Sequence, residues 1–221
     1  MTPIDLKFSV PNPSQIQTLC GFLGSFDPLH RGHEWIVEHL LQQFDAVLLL
    51  IPARHFEKTV QFPRNATFRQ RIEMLASLRS RHGTRIAAGL AHEVLFIRLA
   101  EDLRSYFPHA DIFFGMGNET FERFLDSPRY YVRSGIPWTA AEQAKLDHLR
   151  DRIVVFGRSE QADSFVTVPA HLRGISSTLV RETVMALRSI QAPGSLWQQR
   201  LSSMISPAVL ELILQQGVYA V

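Results

Sequence analysis

The chain has 221 residues, 46% of them hydrophobic and 20% charged, with a formal net charge of +2 at pH 7. That length suffices for one sizeable domain with an ordinary core, and so small a charge gives no argument for DNA or a membrane surface as partner. The single cysteine, Cys20, excludes an internal disulfide framework and a cysteine-based zinc cluster.

Met1 to Gln17 is polar and proline-dotted, without the charged and apolar blocks of a signal peptide. No stretch approaches the ~20 apolar residues of a membrane span, so the cytoplasm is the expected compartment. Thr18–Leu23 is an apolar run ending at turn residues, which predicts a short buried strand with Cys20 as a buried thiol inside it. A loop follows from Gly24 to Arg31. Val37, Leu40, Leu41 and Phe44 then recur at helical spacing and predict a helix over Gly32–Phe44. Ala46–Ile51 is apolar throughout and ends at Pro52; a strand of a parallel sheet covered on both faces has that character.

Phe68, Ile72, Leu75 and Leu78 mark a helix that Asn65 or Thr67 can cap. Arg85–Ala88 reads as a strand, Glu93–Tyr106 as a helix, Asp111–Phe114 as a strand and Asn118–Leu125 as a short helix. Ser127–Leu149 carries no readable period until Thr139, after which it is predicted helical. Arg152–Phe156 and Phe165–Val168 are the last strands; Ser177–Leu187 and Pro207–Gln216 are the last helices, the latter with proline at a tolerated first-turn position. Strands alternating with helices indicate an α/β fold with a doubly wound parallel sheet. The expected organisation is a single α/β domain over 18–188, preceded by an N-terminal extension (1–17) and followed by a small C-terminal helical segment (189–221) packed on it. Ligands of such sheets bind at the carboxyl ends of the strands, so the loops after Leu23, Phe114 and Val168 are expected to converge on one crevice.

Two motifs carry the chemistry. Gly24-Ser25-Phe26-Asp27-Pro28-Leu29-His30-Arg31-Gly32-His33 joins an apolar strand to an amphipathic helix and sets two imidazoles at a helix start. Backbone N–H groups there attract anions, and the imidazoles add hydrogen bonds to phosphate oxygens, which suits a nucleoside triphosphate. A metal pair is the alternative for two histidines at this spacing, but no companion ligands stand at good spacing. Ile175-Ser176-Ser177-Thr178, with Arg181 three residues on, supplies a second clamp of hydroxyls, helix-start N–H groups and a planar cation. Read alone it is also an N-capped helix with a surface arginine.

Together the two motifs resemble those of the nucleotidylyltransferase superfamily, and within it the nicotinate/nicotinamide-mononucleotide adenylyltransferases. The ending, Ile205-Ser206-Pro207-Ala208-Val209 through Gly217-Val218-Tyr219, is similar to the closing helix of bacterial members, and Arg152-Ile153-Val154-Val155 to the strand before their second motif. The resemblance implies a Rossmann-like nucleotidylyltransferase fold. It also implies transfer of AMP from ATP to nicotinate or nicotinamide mononucleotide, with release of pyrophosphate, as a step of NAD biosynthesis. His30, His33 and Arg181 would then be catalytic, and ATP would be bound by Gly24, Ser25, Phe26, His30, His33, Ser176, Ser177, Thr178 and Arg181. Mg2+ would enter with ATP, held by substrate phosphates and not by a protein metal site. The partners are small molecules, with neither nucleic acid nor membrane; a homo-oligomer is compatible with the sequence.

The chain departs from the family in two places. Members carry Gly-x-Asp after the fourth strand, where this chain has Gly115-Met116-Gly117, followed by Asn118 and Glu119. Their Pro-Pro-His-Lys segment appears as Pro52-Ala53-Arg54-His55, with Lys58 later. Candidate acceptor contacts are therefore Arg54 and Lys58 for its phosphate, Gly115, Gly117 and Asn118 at the fourth-strand turn, and Phe121 or Trp138 for stacking on its ring. Gly115-Met116-Gly117 also begins like a dinucleotide fingerprint, but Thr120 stands where the third glycine belongs; two glycines where backbone nears a nucleotide is the better account. Two other functions remain open at this level. One is nucleotidyl transfer to another acceptor, such as phosphopantetheine or a phospho-alcohol, with ATP or CTP as donor. The other is a non-catalytic nucleotide-binding regulator, which the absent acidic residue motivates.

Overall fold

Seven strands form one sheet in the computed structural model, which describes residues 3–53, 64–157 and 165–220. They are β1 (Ile4–Phe8), β2 (Thr18–Leu23), β3 (Ala46–Pro52), β4 (Ile86–Ala91), β5 (Asp111–Gly117), β6 (Ile153–Gly157) and β7 (Val166–Thr167). Their order is β1-β4-β3-β2-β5-β6-β7. All neighbours are parallel except β1, which runs antiparallel along β4. The helices are α1 (Arg31–Leu41), α2 (Phe68–His82), α3 (Phe96–Tyr106), α4 (Asn118–Leu125), α5 (Ser127–Arg133), α6 (Ala140–Arg150), α7 (Ala170–Arg173), α8 (Ser177–Ser189), α9 (Gly194–Leu201) and α10 (Pro207–Gln215).

The unbroken apolar character of β3 follows from two cores. Val47, Leu49 and Ile51 pack in the layer that contains α1, α2, α8, α9 and α10; Ala46, Leu48 and Leu50 face the layer built by α3, α4, α5 and α6. All six side chains are buried, as period-two alternation demands of a strand covered on both faces. The sheet is therefore doubly wound. Chain order reverses between β2 and β5, and a crevice opens beyond the carboxyl ends of strands at such a switch point.

Three differences from the sequence reading have physical causes. Residues 4–8 (Ile-Asp-Leu-Lys-Phe) alternate strictly and form an edge strand, with Ile4 buried; the polar, proline-containing surroundings mask that signal. The strand expected to stop at Phe114 continues to Gly117, pairing Gly115 with Val154 and Gly117 with Phe156. Three short helices, α5, α7 and α9, are additional to the expected elements, being segments that contain or adjoin proline or glycine and lack a full apolar period. α9 packs because Trp197 donates its Nε1–H to the Ala192 carbonyl and lies against the Arg188 guanidinium. Arg188 in turn donates to the carbonyls of Ile213 and Val218, tying α8 to the end of α10.

Burial pushes the Cys20 thiol well above its ordinary range. It does the same to the phenols of Tyr131 and Tyr219, the latter further raised by the charge of Asp27. In the unfolded chain these groups ionise at about pH 8.5–10, whereas the folded protein holds them neutral. The unfolded state then binds fewer protons, so stability is intact below about pH 8 and is lost as pH rises, by up to about 1.4 kcal/mol per pH unit for each of Cys20 and Tyr219. Denaturant midpoints measured at increasing alkaline pH should fall steadily; a flat profile from about pH 8 to about pH 11 would contradict this assignment.

Candidate active site

The first motif occupies the turn after β2, at the switch point. His30 is the N-cap of α1, and its ring accepts the His33 backbone N–H (3.4 Å), while the His33 Nδ1 accepts the His30 backbone N–H (3.4 Å). The two histidines thus form a capping box, a role usually taken by a hydroxyl and a glutamate. Their rings stack with centroids 3.6 Å apart, and His33 meets the edge of Phe26 at 5.1 Å. A ring nitrogen that accepts a hydrogen bond carries no proton, so an imidazole held in this way would carry its proton on Nε2. Both rings would then be available as donors from Nε2.

Helix α1 begins at Arg31, one residue before the expected start. Of its first N–H groups, that of Arg31 donates to the Met204 carbonyl (2.7 Å) and that of His33 to His30. Backbone donation to an anion is therefore narrower here than the sequence implied.

Gly24, Ser25 and Phe26 shape the turn. A Cβ on Gly24 would stand 2.8 Å from the Phe26 ring, which is fully buried; glycine is required for that packing. Phe26 adopts φ 45° and packs edge-on against Phe22 at 5.4 Å, so its side chain belongs to the core. The Ser25 carbonyl accepts from Arg71 of α2 (3.4 Å), whose Nε also donates to the Ala66 carbonyl (2.8 Å). Arg71 is 5% exposed.

The second motif lies against this turn. Ser176 caps α8 by accepting the Leu179 N–H (3.1 Å). Ser177 donates its hydroxyl to the Pro28 carbonyl (3.0 Å), and Arg181 donates from Nη1 to the Asp27 carbonyl and from Nη2 to Thr178 Oγ1 (3.1 Å). Two segments some 150 residues apart in sequence are thus bonded to each other. The N–H groups of Ser177 and Thr178 have no intrahelical acceptor, as at any helix start. Together they set a cationic, donor-rich rim beside the paired imidazoles.

Asp27 is the hub that the sequence reading left without a role. It is 3% exposed. Oδ1 accepts from the Ala66 N–H (2.9 Å) and the Tyr219 hydroxyl (2.8 Å), Oδ2 from Asn65 Nδ2 (2.6 Å), and Arg181 Nη1 lies 3.9 Å from Oδ2. Asn65 therefore serves Asp27, and Thr67 alone caps α2. Two signals were available in the sequence: an arginine, Arg71, on the apolar face of a predicted helix, and an aspartate inside the turn motif.

The acceptor candidates fare differently. Gly115 lies inside β5, where a Cβ would meet Leu40 of α1 at 2.8 Å. Close packing of α1 on β5 by itself accounts for this glycine. Gly117 is the N-cap of α4, and a Cβ added there would have nothing within 4 Å, so no steric demand explains the glycine. Asn118 follows it and donates to Glu122 (3.2 Å). Phe121 is half-buried, stacked on Phe124 and edge-on to Phe165. Trp138 is half-buried against Tyr131, in the layer of α3 to α6. Arg54 and Lys58 lie outside the described residues. Among the described residues no group of three or more His, Cys, Asp or Glu side chains is arranged to hold a metal ion, and no helix is long and apolar enough to cross a membrane.

Comparison with known proteins places this geometry in a family. The cytidylyltransferase-like family matches residues 22–183, which include both motifs. A Dictyoglomus turgidum protein described as a probable nicotinate-nucleotide adenylyltransferase is 33% identical over 180 residues, covering 76% of this chain and 84% of that one. The nicotinic acid mononucleotide adenylyltransferase of Plasmodium falciparum, solved in complex with NaAD, is similar in fold, with a TM-score of 0.66 at 16% identity, covering 92% of this chain and 97% of its own. The same enzyme complexed with APC superposes with a TM-score of 0.63 at 14% identity, over 92% and 97% of the two chains. With both of its motifs inside the matched span, the chain belongs to the cytidylyltransferase-like family and is a nucleotidyltransferase.

Proposed function

We propose that this protein is a cytoplasmic nicotinate-nucleotide adenylyltransferase, which transfers AMP from Mg–ATP to nicotinate mononucleotide and releases pyrophosphate, a step of NAD biosynthesis. The observation that carries the reading is the bonding of Ser177 and Arg181 to the carbonyls of Pro28 and Asp27, in the turn that leads to His30 and His33. It supports one polyphosphate held between the two motifs. The name of the 33% identical relative supports the acid form of the acceptor ring.

The chemistry asks little of the protein beyond placement. The acceptor phosphate is already anionic and attacks the α-phosphorus in line, forming a phosphoanhydride as the bond to pyrophosphate breaks. Charge builds on the α-phosphate oxygens and on the leaving group. His30 and His33, donating from Nε2, would stabilise the first; Arg181, with Ser177 and Thr178 at the α8 start, would hold the β- and γ-phosphates. Their neighbours fix them before substrate arrives, so little reorganisation is needed in the transition state. Mg2+, arriving with ATP, would reduce repulsion between two anionic substrates. Phe121 and Trp138 keep partly exposed rings and would be the stacking candidates for the pyridine.

A coupled pyrophosphate assay tests this directly. ATP and nicotinate mononucleotide with Mg2+ should release pyrophosphate faster than ATP with nicotinamide mononucleotide, phosphopantetheine or a phospho-alcohol, and faster than CTP with any of them. Preference for another acceptor would replace the substrate assignment. ATP binding by calorimetry without turnover across the panel would make the chain a nucleotide-binding regulator.

A further inference from the structure

We infer that Tyr219 is a positioning residue for ATP: by occupying one oxygen of the buried Asp27 carboxylate, it keeps the Arg181 guanidinium turned toward the polyphosphate. The inference rests on the proposed nucleotide site.

The contacts of Asp27 divide into two kinds. Three uncharged donors, the Ala66 N–H, the Asn65 amide and the Tyr219 hydroxyl, lie at 2.6–2.9 Å from its oxygens. The cation of Arg181 stands at 3.9 Å, beyond hydrogen-bond reach of the carboxylate, and donates instead to the main-chain carbonyl of Asp27 and to Thr178. Arg71, the other nearby cation, donates to the carbonyls of Ser25 and Ala66. The carboxylate is thus hydrogen-bonded by neutral groups, and the guanidinium beside it makes only a long ion pair, at 3.9 Å.

This balance is fragile in a buried site. A carboxylate that loses a donor there is costly until another replaces it. Arg181 is the cation already within 3.9 Å of the carboxylate, and only two of the five N–H bonds of its guanidinium are given to the Asp27 carbonyl and Thr178. Removal of the Tyr219 hydroxyl should therefore draw Arg181 onto Asp27, shift it off the polyphosphate rim and leave the acceptor side untouched. Tyr219 suits the task. It is fully buried, adopts φ 63°, and follows Val218, whose carbonyl is held by Arg188. Burial, with the charge of Asp27 second, raises its phenol, so the hydroxyl remains a donor at any working pH.

The test compares Tyr219→Phe with Asn65→Ala, which removes a donor from the other carboxylate oxygen, and with Val218→Ala, which trims a buried neighbour without touching Asp27. Tyr219→Phe and Asn65→Ala should each raise the KM for ATP about tenfold, the scale of one hydrogen bond to a charged group. The KM for the mononucleotide and kcat should stay within about twofold, because Asp27 does not meet the reacting atoms. Val218→Ala should lower the melting temperature and leave the KM for ATP unchanged. The inference is overturned if the first two variants leave the KM for ATP unchanged, or if Val218→Ala shifts it equally. Should no acceptor support turnover, Kd for Mg–ATP by calorimetry gives the same comparison, so failure of the substrate assignment and failure of the Tyr219 role remain separate results.

Discussion

Replacement of His33 by alanine is expected to lower kcat about 10²–10³-fold, the effect of deleting one donor aimed at charge that develops in the transition state. The expectation follows from how the ring is held. Its Nδ1 receives the His30 N–H, one face lies on the His30 ring and the other side meets Phe26. Orientation is therefore fixed in the free enzyme, and alanine loses a donor already in position. The same substitution also removes half of the capping box of α1, which adds a stability cost of about 1 kcal/mol. Activity and melting temperature together separate the two effects. A variant that melts slightly early yet turns over at nearly the native rate would remove His33 from the chemistry and leave it a helix cap.

Substitution of Arg181 by lysine should depress kcat/KM for ATP about 100-fold, because an ammonium cannot reproduce a planar fork that makes two charge-assisted contacts at once. Here the fork spans the Asp27 carbonyl and Thr178 Oγ1, so lysine would satisfy one of them and release the other. The charge is preserved, which makes the variant a test of geometry and not of net attraction. Steady-state kinetics with ATP as the varied substrate gives the answer. A folded Arg181→Lys enzyme with kcat/KM within about threefold of the parent would show that only the positive charge matters.

What could be read from the chain depended on whether the deciding interaction is local. β2 and α4 fall where periodicity puts them, since an apolar run and a 3.6-residue repeat are local patterns. The two phosphate motifs were legible because their residue types and order are contiguous. The role of Gly115 was not, because the object that requires it is the Leu40 side chain, 75 residues away in sequence. Asp27 was visible as a letter in the motif, but its function lies in Asn65, Ala66 and Tyr219, which folding alone brings together. β1 was recoverable: Ile4, Leu6 and Phe8 alternate with Asp5 and Lys7, and a period-two pattern outweighs a polar average.

The turn after β2 owes its shape to side chains that are not in it. Asn65 and Arg71 come from the approach to α2 and its first turns, Arg181 from α8, Tyr219 from beyond α10. Residues 24–33 moved alone into another doubly wound scaffold would thus arrive as letters without a conformation. A graft would have to bring these distant anchors and Ser177 along, and drift at any of them would be felt first as a change in nucleotide affinity.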